Sequence, residues 1–166
     1  PLSNINTTLA DAAGLTYSPT ADSNGSETLT VLTSDQGNTG AGGTLTDTDT
    51  VSITMTAVND APINTVPGTQ TTNEDTDLVV SGISIVDVDV AAANMQVTLT
   101  VASGSLGINT AVTNGVSAAQ VATNNSASVV ITAPLSNINT TLADATGLTY
   151  SPTADSNGSD ILTVLT

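Results

Sequence analysis

Lysine, arginine and histidine are absent from the 166 residues, which carry fifteen aspartates and glutamates and a formal charge of −15. No side-chain salt bridge can form, so the repulsion among carboxylates has to be relieved from outside, by screening salt or bound cations. Nucleic-acid binding needs basic groups for the phosphates and is excluded as a function. Attachment to anionic membranes is disfavoured for the same reason. With no cysteine there are no disulfides and no thiolate metal sites, and with no lysine there is no Lys–Asn isopeptide staple. The lack of His, Cys, Lys and Arg also removes triads, thiol nucleophiles and phosphate clamps, so the chain is read as a non-enzyme. There is no Trp or Phe, and the only aromatics are Tyr17 and Tyr150. A sugar site built on stacking is therefore disfavoured, and each tyrosine is expected to pack in a core or corner. No 18-residue apolar run and no signal-peptide pattern is visible, so no membrane insertion is expected.

What is present argues against disorder. Hydrophobic residues make up 39% of the chain, and Val, Leu and Ile recur at strand spacing among Thr, Ser, Asn and Gly. The stretch Asp47–Pro62 sets the pattern. Val51, Ile53 and Met55 alternate with Ser52, Thr54 and Thr56, the period of a strand with one buried face. Val58-Asn59-Asp60-Ala61-Pro62 then stops the strand, because proline cannot donate to a ladder and Asn-Asp favours local hydrogen bonds.

Residues 1–33 recur as 134–166, at an offset of 133. Only Ala13/Thr146, Glu27/Asp160 and Thr28/Ile161 differ, which points to recent duplication in a tandem array. The chain starts at Pro1 and reads as a window on a longer one. If units join near Asn59–Val66, residues 1–60 are the C-terminal part of one repeat and 61–166 the N-terminal part of the next.

Strands are expected at Leu78–Val80, Ile83–Ile85, Met95–Val101, Leu106–Ile108, Ser128–Thr132, Gly147–Tyr150 and Ile161–Thr166, with Leu45–Val58 closing the first unit. Residues 63–72 read as a Thr/Pro/Gly linker, and Asn114-Gly115 as a hairpin turn. Leu135, Ile138 and Leu142 at i, i+3 and i+7 predict a short helix over 134–143, opened by Pro134. Short strands with turns every 8–12 residues predict an all-β fold: a β-sandwich of about seven strands with one short helix, repeated in tandem.

Carboxylate and carbonyl oxygens are calcium ligands, so Ca2+ is the natural counterion for a chain of this charge. Asp47/Asp49 and Asp87/Asp89 are Asp-x-Asp pairs, and in a strand i and i+2 side chains share a face and can chelate one ion. A strand over 50–58 spans about 30 Å, so Asp47/Asp49 and Asn59/Asp60 are not expected to share an ion. Asp155-x-Asn157-Gly-x-Asp160 lacks EF-hand spacing and its closing glutamate, and reads as an Asn-Gly turn. Asn6, Asn24, Asn124, Asn139 and Asn157 form Asn-x-Ser/Thr sequons, candidate glycosylation acceptors.

Taken in order, Val58-Asn-Asp-Ala-Pro62, Asn73-Glu-Asp-Thr76, Asp87-Val-Asp89, Leu135/Ile138/Leu142, Gly147-Leu-Thr-Tyr150, Asn157-Gly-Ser-Asp160 and Asp47-Thr-Asp49-Thr-Val51 resemble bacterial cadherin-like, immunoglobulin-like tandem repeats. Such repeats occur in giant secreted adhesins, often of the RTX type, and in extracellular fibres. The resemblance implies an immunoglobulin/cadherin-like sandwich strung end to end, an extracellular or cell-surface location, and calcium at the junctions. It implies ligands from Asn59 and Asp60 at the junction, a bidentate Glu74, and Asp87 with Asp89, with Asp47 and Asp49 at a further end. Partners would be neighbouring repeats of the same chain or identical chains in a fibre. Three roles follow from that: a calcium-rigidified extender, a ligand-binding adhesion domain contacting carbohydrate or protein, and a self-assembling filament subunit.

Overall fold

The computed structural model describes residues 1–38 and 40–166. They form two compact units, Pro1–Asn59 and Asp60–Thr166. The fold is mostly β, in several antiparallel sheets with two short α-helices. Among the described residues, no helix is long and apolar enough to cross a membrane.

The first unit has helix α1 (Leu2–Ala10) and strands β1 (Gly25–Ser34) and β2 (Thr46–Met55). The strands pair over ten positions, from Gly25↔Met55 to Ser34↔Thr46. The connection is tied by Asp35. Its Oδ1 accepts from the Gly37 and Leu45 amides at 2.8 and 2.9 Å, and these bonds, Leu45 first, hold its carboxyl below the usual range. No described residue of this unit is fully buried.

In the second unit, β3 (Ile63–Thr65) pairs with β5 (Ser84–Val86). A three-stranded sheet has the order β4 (Leu78–Val79), β10 (Leu148–Ser151), β7 (Ser105–Ile108). A four-stranded sheet has the order β11 (Thr163–Leu165), β6 (Asn94–Thr100), β9 (Ser128–Pro134), β8 (Val121–Ala122). Alternate residues point inward, as the period-2 pattern dictates. Val97 and Leu99 of β6 meet Val129, Ile131 and Ala133 of β9, Leu106 and Ile108 of β7, and Leu148 of β10.

Helix α2 (Leu135–Ala143) completes this core with Ile138 and Leu142. It stops at Asp144, whose Oδ1 takes the Thr146 amide at 2.7 Å, and the chain turns back at Gly147. A Cβ there would lie 1.7 Å from the Thr141 carbonyl oxygen, so the close turn requires glycine. Polar side chains of the helix fasten neighbouring backbone. The Asn139 amide group accepts from the Ile85 N–H (2.9 Å) and donates to the Ile85 carbonyl (2.8 Å). Thr141 Oγ1 accepts from the Val116 N–H at 2.8 Å, and Asn137 Nδ2 donates to the Gly115 carbonyl at 3.0 Å.

Two expectations are corrected. Residues 63–72 are not wholly a linker, because Ile63–Thr65 forms β3, satisfying its backbone on β5. Asn114-Gly115 does turn the chain, with Asn114 at φ 60° and the Gly115 amide on the Val112 carbonyl (3.0 Å), but it joins no paired strands. The loop is held by α2 instead, through contacts far apart in sequence. The 3₁₀ turn Ala118–Gln120 and strand β8 were not signalled by periodicity, being too short to show one.

The helices α1 and α2 have the same nine residues, LSNINTTLA, in two environments. Leu142 is fully buried whereas its counterpart Leu9 is 56% exposed. Leu142→Ala is expected to destabilise the second unit by about 2–5 kcal/mol, the cost of a buried leucine cavity. Leu9→Ala should change stability by no more than about 0.5 kcal/mol. Urea unfolding of the two variants beside the parent checks both.

Candidate functional site

The acidic residues divide between the two units. In the first, Asp47 and Asp49 lie on β2, opposite Thr33 and Val31 of β1. They are two apart on one strand and so share a face. Asp47 Oδ1 also accepts from the Thr48 amide at 3.0 Å. Asn59 is the last residue of this unit.

In the second unit, three of the expected residues come together. The Asp60 amide donates to Asp89 Oδ2 at 2.6 Å, across 29 residues of sequence. The turn after β5 is built by Asp87, whose Oδ1 accepts from the Asp89 amide (2.8 Å) and the Val90 amide (3.0 Å). This is an Asx turn, formed because a short carboxylate reaches the amide two residues on. Each carboxylate spends one oxygen on these bonds and has a second for another ligand. Glu74 lies elsewhere, on the rim of a groove described below. Its neighbour Asp75, at φ 58°, uses Oδ1 to accept from the Asp155 amide at 2.9 Å. Among the described residues, no three acidic side chains converge closely enough to hold a metal by themselves. Calcium takes six to eight oxygens, so a site here would combine the Asp87 and Asp89 carboxylates with backbone carbonyls and water.

A further carboxylate has a structural role that spacing did not reveal. Asp160 Oδ1 accepts from the Ala102 and Ile161 amides at 3.0 and 2.7 Å, and Oδ2 from the Ser103 amide at 2.9 Å and the Tyr150 hydroxyl at 3.4 Å. It fastens the start of the last strand segment to the turn after β6. Partial burial pushes its pKa up, but the Ala102, Ser103 and Ile161 amides with the Tyr150 hydroxyl outweigh this and hold it below the ordinary value. Burial raises the Tyr150 pKa, and the Asp160 charge and hydrogen bond raise it further. The signal available in sequence was the Glu27/Asp160 difference between copies, since only the shorter side chain stands in this fastened position.

Two of the five sequons have structural work of their own. Asn124 accepts from the Ile108 amide at 2.7 Å and donates Nδ2 to the Ile108 carbonyl at 2.9 Å, and Asn139 clamps Ile85 in the same way. A glycan on either Nδ2 would break a clamp on the core strands.

Beside Asp160 is a groove of about 640 Å³ in the second unit. Leu78, Val80, Val101, Tyr150, Leu162 and Val164 line its floor, and the loop 66–74 with Ser156–Ser159 forms its rim. Comparison with protein-family models, curated proteins and solved structures matches none of them.

Asp160 has its folded-state pKa depressed, so its contribution is present above the unfolded value, about 3.9, and is lost as pH falls through the folded value. Asp160→Asn should lower the melting temperature of the second unit at pH 7, and the gap to the parent should narrow below about pH 4. In a Tyr17→Phe background, Tyr150 should titrate above the ordinary tyrosine value of about 10, with Asp160→Asn bringing it down. Alkaline difference absorbance reads that shift.

Proposed function

We propose that this chain is a structural extracellular module of a tandem array: a calcium-rigidified extender, or fibre building block, of a large surface adhesin or filament. In this reading each 133-residue period is an immunoglobulin/cadherin-like β-sandwich. Support for the array comes from the 33-residue segment recurring with three differences. Repeated identical units associate through one repeated contact, which favours long assemblies over a single globule. Support for calcium comes from a charge of −15 with no basic side chain and from the Asp60–Asp89–Asp87 turn.

The single observation that carries the reading is the bond from the Asp60 amide to Asp89, which brings the start of the unit onto the Asp-x-Asp turn. A cation taking the second oxygens of Asp87 and Asp89 would neutralise two charges and immobilise the chain segment that leads into the unit. Backbone carbonyls and water complete the set in this reading, and Asp47 and Asp49 form a second pair on β2. Stabilisation follows by mass action, because the ion binds the folded turn and not the unfolded chain.

Calcium in hundredfold excess over its dissociation constant should stabilise the second unit by about 2.7 kcal/mol. At roughly 4–8 °C for each kcal/mol in a domain of this size, the melting temperature should rise by ten degrees or more and fall back with EDTA. Sodium chloride at equal ionic strength should give a smaller rise, since it only screens. The Asp87→Asn/Asp89→Asn variant should melt at one temperature with or without calcium. A parent chain whose melting curve ignores calcium beyond the effect of sodium chloride would rule the mechanism out.

A further inference from the structure

The outer face of the four-stranded sheet carries no carboxylate. Val97, Leu99, Val129 and Ile131 point into the core, so Thr98 and Thr100 of β6 and Ser128 and Thr132 of β9 face outward. The ladder sets Thr100 between Ser128 and Thr163, which makes a row of hydroxyls across β9, β6 and β11. The same kind of face recurs in the first unit. The offset of 133 equates Val31 with Val164, which packs against the core of the second unit, so Thr30 and Thr163 take the outward side. In the β1–β2 ladder the outward pairs run Ser26↔Thr54, Thr28↔Ser52, Thr30↔Thr50 and on to Ser34↔Thr46, and all but Leu32 carry a hydroxyl. The carboxylates on these two strands, Glu27, Asp47 and Asp49, are all on the inward side. A strand paired alongside β11 would widen this face and leave it uncovered.

The chemistry of such a face is unusual in this chain. A carboxylate only accepts hydrogen bonds, and without Lys, Arg or His the side-chain donors are hydroxyls and amides. A hydroxyl both donates and accepts, so a hydroxyl face is complementary to itself. Two copies carrying −15 each repel, and their approach is least opposed where both surfaces are uncharged and salt screens the rest.

We propose, resting on the array reading above, that this hydroxyl face is a self-association surface and that its occupant is the same face of a second copy of this chain. The contact is isologous, each hydroxyl row meeting its equivalent across a two-fold axis. Four strands about 4.8 Å apart and seven residues of about 3.3 Å bound the face of the second unit at roughly 450 Å². A standard interface takes about 800 Å² from each partner, so one such contact is weak. Repetition along an array multiplies it, because every contact after the first is intramolecular. Arrays then bundle side by side through their uncharged faces, and the carboxylates stay in solvent. The contact does not depend on calcium.

Sedimentation equilibrium of the chain in EDTA tests this. The parent should self-associate at millimolar concentration, severalfold more tightly in 0.5 M sodium chloride than in 0.02 M. Ser128→Asp/Thr132→Asp, at exposed outward positions of β9, should weaken association at least tenfold while melting near the parent's temperature. Ser136→Asp/Thr140→Asp adds the same two charges to the exposed side of α2 and should associate as the parent does. If the β9 variant does not fold, Thr98→Asp/Thr100→Asp puts the charges on the same face from β6. A parent that stays monomeric at millimolar concentration in 0.5 M sodium chloride overturns the proposal. So does a face variant that associates like the parent, the result expected of pairing through a strand edge, or an equal loss in the α2 variant. The calcium response of the melting curve is independent of this contact, so either can fail alone.

Discussion

A chain of fifteen carboxylates without a single basic side chain must find its positive partners in the backbone, and the described residues do so repeatedly. Asp35 holds two amides across its hairpin connection, Asp87 two in its turn, Asp160 three, and Asp75, Asp89 and Asp144 one each. Bonds of an amide to an ionised carboxylate are shorter and stronger than neutral ones, so each is a good substitute for an ion pair at a turn. The consequence is that these six aspartates mark places where the chain turns or segments are fastened together. Charge and architecture are the same problem here: turns need acceptors, and carboxylates need donors.

That arrangement also explains why acidic spacing is an incomplete guide to a cation site. Asp87 and Asp89 are engaged through one oxygen each, and the Asp60 amide donates to Asp89. The resemblance groups Glu74 with them, whereas in the structure it lines the groove. The calcium reading therefore draws on two carboxylates and on backbone oxygens, a set that no pattern of acidic residues spells out.

The duplicated segment separates local from tertiary effects with unusual clarity. Pro134 and Leu135, Ile138 and Leu142 at helical spacing predict α2, and the same residues at 1–9 form α1 without a buried position. Helix formation follows from local sequence, then, while burial follows from what is packed above it. Likewise Asn139 clamps Ile85, 54 residues away in sequence. An amide side chain on a helix face reads as solvent-exposed until the strand that needs it is known.

Sequence alone determined the period-2 strands expected at 95–101, 128–132 and 45–58, the last ending earlier at Met55, the helix at 134–143, the repeat and the charge, because each is written in near neighbours. Tertiary structure decided the rest. Strand β3, the role of Asn114-Gly115 in docking to α2, the Asp160 fastening and the groove all depend on residues brought together from tens of positions apart. Such contacts carry no periodicity of their own. They arise only when sheets and helix close on one core, and that closure is fixed by packing rather than by spacing.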